Sequence, residues 1–151
     1  MADALQQLGD QAAALLQQLN APERRKLAAD LARTMRATQV ERIRANKQPD
    51  GTPMSPRKPR AKRGAIRRKM FAKLVKPAWF KATATANEAT VEFTGTANRL
   101  ATIHHFGLRD KINGKEVQYT ERQLIGITDD DIDRVEDALL KRLSGSLQKS
   151  E

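Results

Sequence analysis

Four of the six prolines fall within residues 47–63, and they decide where this chain can be helical. Proline lacks a backbone N–H, and its ring clashes with the preceding helical turn, so no helix can run through this segment. Pro49, Asp50 and Gly51 follow one another there, which is typical of a tight turn. We therefore predict an extended, basic and mobile connector over residues 47–63.

Two helices are predicted before the connector. Apolar residues recur at spacings of three and four over residues 3–19, which indicates an amphipathic helix. Asn20 and Glu23 have the spacing of a capping box, so a second helix is predicted from about Pro22 to Asn46. Residues 1–46 then form a helical hairpin arm, whose apolar stripes could face each other, a core or a neighbouring subunit.

The six aromatic residues locate the predicted core. All of them lie at or beyond Phe71, and large rings contribute much of the buried area of a core. We therefore predict a core domain over residues 64–145. Ile66, Met70 and Leu74 lie four residues apart, which predicts that this domain begins with a basic helix.

Two short hairpins and a helix are predicted inside the core domain. Apolar and polar residues alternate over residues 80–93, which indicates a β-hairpin with one buried face. Residues 97–106 favour a short helix. Asn113 and Gly114 form a strong tight-turn dipeptide, which predicts a second, smaller hairpin or a long loop.

The C-terminal helix is the clearest predicted element. Thr128 can cap it, and the carboxylates that follow favour the positive end of a helix. Gly145 can end it, which leaves residues 146–151 as a disordered tail. The predicted fold class is therefore α+β, with an N-terminal helical hairpin and a small antiparallel β-sheet packed by the basic helix and the C-terminal helix.

One basic block accounts for the whole net charge of +10. Ten Lys and Arg residues and no acidic residue lie between Arg57 and Lys76. Such a concentrated charge attracts a polyanion or an acidic protein surface, although a solvated loop and helix face is the simpler alternative. The candidate interface or DNA-facing residues are Arg57, Lys58, Arg60, Lys62, Arg63, Arg67, Arg68, Lys69 and Lys73.

No motif predicts catalysis, a cofactor or a metal site. His104 and His105 are adjacent, so their side chains point in different directions, and the chain has no cysteine to complete a metal shell. We interpret them as packed or interface histidines. Helix capping explains the acidic run at the start of the last helix. Its members are also a candidate acidic interface, namely Asp129, Asp130, Asp131 and Asp133.

Three segments occur in a fixed order, QPDGTPMSPRKP, LATIHHFGLRD and ERQLIGITDDDIDRVEDALL. With them, the chain from about Pro22 to Leu143 resembles the phage virion morphogenesis family, the tail completion proteins of contractile-tailed phages. The resemblance implies a small α+β subunit that acts in a ring at the head-proximal end of the tail. It implies no catalytic residues. The residues in these segments that we assign to structure are Pro49, Asp50, Gly51, His104, His105, Phe106, Gly107 and Gly126.

The resemblance also implies partners and a location. The partners are further copies in a ring, with six-fold symmetry as a candidate, together with tail tube, sheath and head connector proteins. Genomic DNA is a further candidate, and a membrane is not. The location is the tail or neck of the virion, and the host cytoplasm during assembly. The alternative function is a nucleic-acid-binding protein that uses residues 57–76 as an electrostatic clamp.

Overall fold

The structure is a computed structural model that describes residues 2–57 and 69–148. Within these ranges the chain forms four helices and two two-stranded sheets, which confirms the α+β class but divides the strands between two sheets. The helices are α1 (Ala2–Leu16), α2 (Ala21–Arg44), α3 (Thr96–Phe106) and α4 (Asp129–Gln148). The strands are β1 (Phe80–Ala84), β2 (Ala89–Phe93), β3 (Arg109–Ile112) and β4 (Lys115–Gln118).

The described residues fall into two compact units. The first unit comprises those up to Ala37, Ala82–Val91 and those from Ile127 onward. The second unit comprises those within Thr38–Lys81 and Glu92–Gly126. Both α2 and the β1–β2 hairpin therefore contribute to both units. This division cuts across the four segments predicted from the sequence, because residues 1–46 supply buried side chains to both units.

Helices α1, α2 and α4 supply the core of the first unit. The apolar stripe of α1 is used inside the unit, because α1 packs against α4. Of the three partners that the sequence left open for this stripe, the structure therefore shows a core. The buried centre consists of Leu19, Leu27 and Leu139, and the partly buried side chains packed against it are Leu8, Ala12, Leu16, Leu31 and Val135.

Reciprocal capping boxes begin α2 and α4. At α2, Glu23 N donates to Asn20 Oδ1 (2.9 Å) and Asn20 N donates to Glu23 Oε2 (3.2 Å), as predicted. At α4, Asp131 N donates to Thr128 Oγ1 and Thr128 N donates to Asp131 Oδ2, both at 3.0 Å. Each box satisfies two backbone N–H groups that a helix start leaves without partners.

The predicted end of the last helix and the described part of the predicted basic helix are both wrong. Helix α4 continues through Gly145 to Gln148, because a glycine inside a helix costs only about 1 kcal/mol. Residues 69–76 form a series of turns rather than part of a basic helix. Phe71 has a φ of 62°, which no α-helix accommodates. Residues 58–68, with the rest of that helix and part of the connector, lie outside the described residues.

The core of the second unit includes a stacked aromatic pair. The rings of Phe80 and Phe93 lie 4.5 Å apart between centroids, and both side chains are buried. The aromatic residues mark the core only in part, however. Trp79 is 42% exposed and Phe106 is 63% exposed.

The second hairpin has the predicted turn. Asn113 and Gly114 have φ angles of 51° and 77°, the left-handed values that a two-residue hairpin turn requires. Strands β3 and β4 pair antiparallel, from Arg109 opposite Gln118 to Ile112 opposite Lys115. Their sequence therefore folds into a hairpin and not into a long loop.

Replacing Leu139 by alanine should lower the free energy of unfolding by about 2–5 kcal/mol, because the side chain is only 5% exposed in the core of the first unit. Its neighbour Leu140 is a matched control. Leu140 is 60% exposed, so Leu140→Ala should change stability by no more than about 0.5 kcal/mol. Urea unfolding at a concentration where the protein is monomeric measures both. Equal losses for the two variants would contradict this core.

Candidate functional site

The described part of the connector is a closed turn at the end of α2. Asp50 Oδ1 accepts hydrogen bonds from Thr52 Oγ1 (2.6 Å) and Thr52 N (2.9 Å), and these bonds lower the pKa of Asp50. Gly51 has a φ of 86°, which glycine adopts without strain. Met54 is buried, and its N–H donates to Asn46 O (2.7 Å). Residues 47–54 are therefore folded back and packed rather than extended.

Residues 122–126 form no helix or strand, yet their backbone is well paired. Buried N–H and C=O groups outside regular structure still need partners, and side chains of the second unit supply most of them. The bonds run from Gln123 N to Gln48 Oε1 (3.0 Å), from Leu124 N to His105 Nδ1 (3.1 Å), from Gly126 N to Gln39 Oε1 (3.1 Å) and from Arg42 Nη2 to Leu124 O (3.1 Å).

The side chain of Arg122 joins this segment to the connector turn. The residue is 8% exposed, and its guanidinium donates to Ser55 O (2.7 Å) and Pro56 O (2.9 Å). Its backbone N–H donates to His104 O (2.8 Å). Burial lowers the pKa of Arg122, and the positive charge of Arg57 lowers this pKa further. Arg57, the first residue of the basic block, therefore lies near a cation that is already buried.

His104 packs between two aromatic rings. The rings of Phe71 and Tyr119 approach it edge-on, with centroids at 5.0 and 4.9 Å. Burial lowers the pKa of His104, and the charge of Arg122 adds to this effect. Its Nδ1 has no hydrogen-bond partner among the described residues. The left-handed backbone of Phe71 thus places a ring against the histidine.

His105 has different partners from His104. Its Nδ1 accepts the Leu124 N–H, so that nitrogen carries no proton. Burial lowers the pKa of His105, while the charge of Glu121 opposes the shift. The ring of Phe106 lies 4.6 Å from that of His105 but is largely exposed to solvent. The two histidines therefore share no ligand position, and each is engaged in packing its own part of the second unit.

Two glycines in this region are required for different reasons. Gly107 ends α3 in the left-handed conformation, with a φ of 65°. Gly126 is required by a close approach, because a Cβ there would lie 2.6 Å from Pro49 Cγ. The sequence predicted a backbone role for both residues, but it did not reveal that Gly126 and Pro49 are in contact.

The candidate acidic interface divides into buried and exposed members. Asp131 is 3% exposed and belongs to the capping box of α4. Asp129, Asp130 and Asp133 are exposed, as are Glu136 and Asp137 further along the same helix. The surface carboxylates thus continue to Asp137, and Asp131 does not belong to them.

The basic block is described only at its two ends. Lys69 and Lys73 are exposed, and Arg57 is half-buried. The exposed Lys76 and Lys81 continue the positive charge, and no acidic residue lies between Lys69 and Lys81. The other predicted members lie outside the described residues, namely Lys58, Arg60, Lys62, Arg63, Arg67 and Arg68.

Sequence reasoning missed Arg122 and the exposed Trp79. A lone arginine in the mostly uncharged stretch 122–128 is a signal of burial that could have been noticed. Trp79 was expected in the core, but its position among lysines is more typical of a surface. Its backbone is fixed, since Trp79 N donates to Lys76 O (2.9 Å) and Thr94 N donates to Trp79 O (2.8 Å). Trp79 is therefore an exposed apolar side chain on a fixed backbone.

Across residues 2–57 and 69–148, no three acidic or histidine side chains are grouped so that they could hold a metal ion. No helix in the same ranges has the length and apolar character that crossing a membrane requires. The described surfaces carry exposed charged and apolar side chains that could contact other molecules.

Adding a methyl group at Gly126 should destabilise the protein by about 1–3 kcal/mol, because it overlaps Pro49 and the chain must shift to make room. Gly145→Ala is the control of opposite sign. A Cβ at that helical position meets nothing within 4 Å, so alanine should stabilise the protein by up to about 1 kcal/mol. Urea unfolding compares them. Two changes of the same sign would contradict the described packing.

The stability should fall as the pH is lowered below about 6.5, the ordinary pKa of histidine. The folded pKa of His105 lies below this value, so the unfolded chain binds the proton first and unfolding becomes easier. His105→Asn retains an acceptor oxygen near the Leu124 N–H but does not titrate. Its unfolding free energy, measured from pH 7.5 to 5, should therefore fall less steeply than that of the parent. Identical slopes would exclude this role of His105.

Comparison with known proteins gives a consistent result over almost the whole chain. The model of the phage virion morphogenesis family matches residues 3–144. Tail completion protein S of Escherichia phage P2 is 37% identical over 140 residues, which cover 89% of this chain and 93% of that protein. No solved structure matches. The capped helices, the packed connector turn and the paired 122–126 segment all lie within the matched range, and the chain belongs to the phage virion morphogenesis family.

Proposed function

We propose that this protein completes the phage tail and helps to form the head–tail junction, as a subunit of a ring at the head-proximal end of the tail. The observation that carries the proposal is the match to a tail completion protein over 93% of that relative's length. The protein would act in the tail or neck of the virion, after assembly in the host cytoplasm. Its partners would be tail tube, sheath and head connector proteins.

The surfaces of the described residues support a role in assembly. A ring of identical subunits needs two unlike surfaces on each copy, so that each contact is repeated from copy to copy. The second unit carries exposed lysines near Trp79, and the first unit carries the exposed carboxylates of α4. Further large apolar side chains are exposed on the second unit, namely Leu100, Phe106, Leu108, Ile112 and Ile125.

We further propose that the protein works by binding and not by catalysis. Two of the polar side chains that would invite a catalytic role are occupied in holding the second unit together. His105 Nδ1 accepts the Leu124 N–H, and Arg122 donates to two backbone carbonyls. Groups held in this way position the backbone around them.

The decisive experiment measures the mass of the protein in solution and images it by electron microscopy, with and without purified tail tubes, at moderate salt. Closed rings, or density that caps one end of each tube, are the expected result. A matched sample with tubes whose ends are already capped should show no added density, because the proposed site is then covered.

A different result would favour the nucleic-acid alternative. A monomer that ignores tail tubes but binds duplex DNA would contradict tail completion. If about eight basic side chains met phosphates, log K would fall with a slope of about −7 against log salt. Such a steep slope in the absence of any protein partner would identify an electrostatic clamp for DNA.

A further inference from the structure

We propose that one copy of this protein docks the exposed face of its α4 onto the surface around Trp79 of a second copy. The inference rests on the proposed ring and identifies the two surfaces that meet in it. The Trp79 surface is defined here by Trp79, Lys73, Lys76 and Lys81. The α4 face is defined by Asp133, Glu136, Asp137 and Leu140.

The Trp79 surface has the composition of a binding surface. Trp79 is 42% exposed, although tryptophan has the largest apolar side chain and is enriched at the centres of protein interfaces. Backbone hydrogen bonds to Lys76 and Thr94 fix its main chain, so little backbone entropy remains to be lost when it is covered. An exposed aromatic anchor held on a rigid backbone is suited to contact with a partner.

The charged residues that flank this anchor in the sequence have one sign. Lys81 lies two residues after Trp79, both are exposed, and the intervening Phe80 is buried. Lys73 and Lys76 are exposed in the turns that lead to the strand. No acidic residue lies between Lys69 and Lys81, and the exposed Glu92 of the neighbouring strand β2 is a single negative charge. A partner that meets these lysines is acidic and has an apolar centre.

The α4 face has that composition. Its four residues are spaced so that they lie on one side of the helix, and all of them are exposed. Leu139 and Val135 on the opposite side belong to the core of the first unit, so Leu140 takes no part in that core. Leu140 is 60% exposed beside two carboxylates, Glu136 and Asp137. The face therefore presents an apolar side chain among negative charges.

The two surfaces complement each other in charge and in apolar content. The Trp79 surface belongs to the second unit and the α4 face to the first, so the contact joins unlike surfaces. A pair of copies formed in this way still has one unused Trp79 surface and one unused α4 face. Addition of further copies then closes into a ring or continues as a chain. DNA would satisfy the lysines but would leave the carboxylates of α4 without a partner and Leu140 exposed. A second copy satisfies both surfaces.

Charge reversal with rescue tests the proposal. The lysine variant carries Lys73→Glu, Lys76→Glu and Lys81→Glu, and the acidic variant carries Asp133→Lys, Glu136→Lys and Asp137→Lys. Each alone should weaken self-association at least tenfold in sedimentation equilibrium, because like charges then face each other. The chain that carries both sets should recover most of the lost affinity. Circular dichroism checks that every variant is folded.

The apolar anchors are tested in the same assay. Trp79→Ala and Leu140→Ala should each weaken association about tenfold or more, as expected for residues at the centre of an interface. Ile127→Ala is the matched control, because Ile127 is exposed to the same extent as Trp79 but is not part of either surface. It should leave association unchanged.

Three outcomes would overturn this inference. Rings that form unchanged in both reversal variants would show that other surfaces join the copies, and tail completion would stand. Failure of the combined variant to recover would show that these charges do not face each other. Loss of duplex DNA binding in the lysine variant alone, with self-association intact, would assign the Trp79 surface to DNA.

A parent chain that stays monomeric even with tail tubes would contradict the proposed function itself.

Discussion

The second unit depends on how residues 122–126 find partners for their backbone. The segment forms no helix or strand, so most of its paired N–H and C=O groups bond to side chains of α2, the connector turn and α3. A hydrogen bond contributes only about 1 kcal/mol net, but a buried group left without its partner costs about 1–3 kcal/mol. Moving any of these side chains would therefore leave a backbone N–H or C=O group of residues 122–126 without a hydrogen-bond partner.

The same arrangement determines the electrostatics of this unit. Arg122 is a buried cation whose neighbours are carbonyl oxygens, and it disfavours a second positive charge on the nearby His104. The neutral form of His105 is favoured because its Nδ1 accepts a hydrogen bond from the Leu124 N–H. The adjacent histidines and the arginine thus form one polar framework that holds α3 to the connector turn. Exposed positive charge in this unit lies elsewhere, and it includes Lys73, Lys76 and Lys81.

Features that depend on neighbours in the sequence could be predicted, and features that depend on distant contacts could not. The capping box at Asn20, the turn at Asn113 and the period of the first hairpin are encoded within a few residues. By contrast, the left-handed Phe71 reflects contact with His104, and the need for glycine at position 126 reflects contact with Pro49. For the candidate site, the sequence identified the acidic and basic segments. It did not separate the buried Asp131 from its exposed neighbours, and it did not reveal that Trp79 and Leu140 are exposed.

The core of the first unit has a consequence for the synthesis of the chain. Leu19 and Leu27 are translated long before Leu139, which is buried with them. The apolar faces of the first two helices therefore stay open to solvent, or to other binding molecules, until α4 has been translated. A product that terminates before α4 lacks the side chain that closes this core. Burial of Leu19 and Leu27 together with Leu139 thus makes a stable first unit depend on translation through α4.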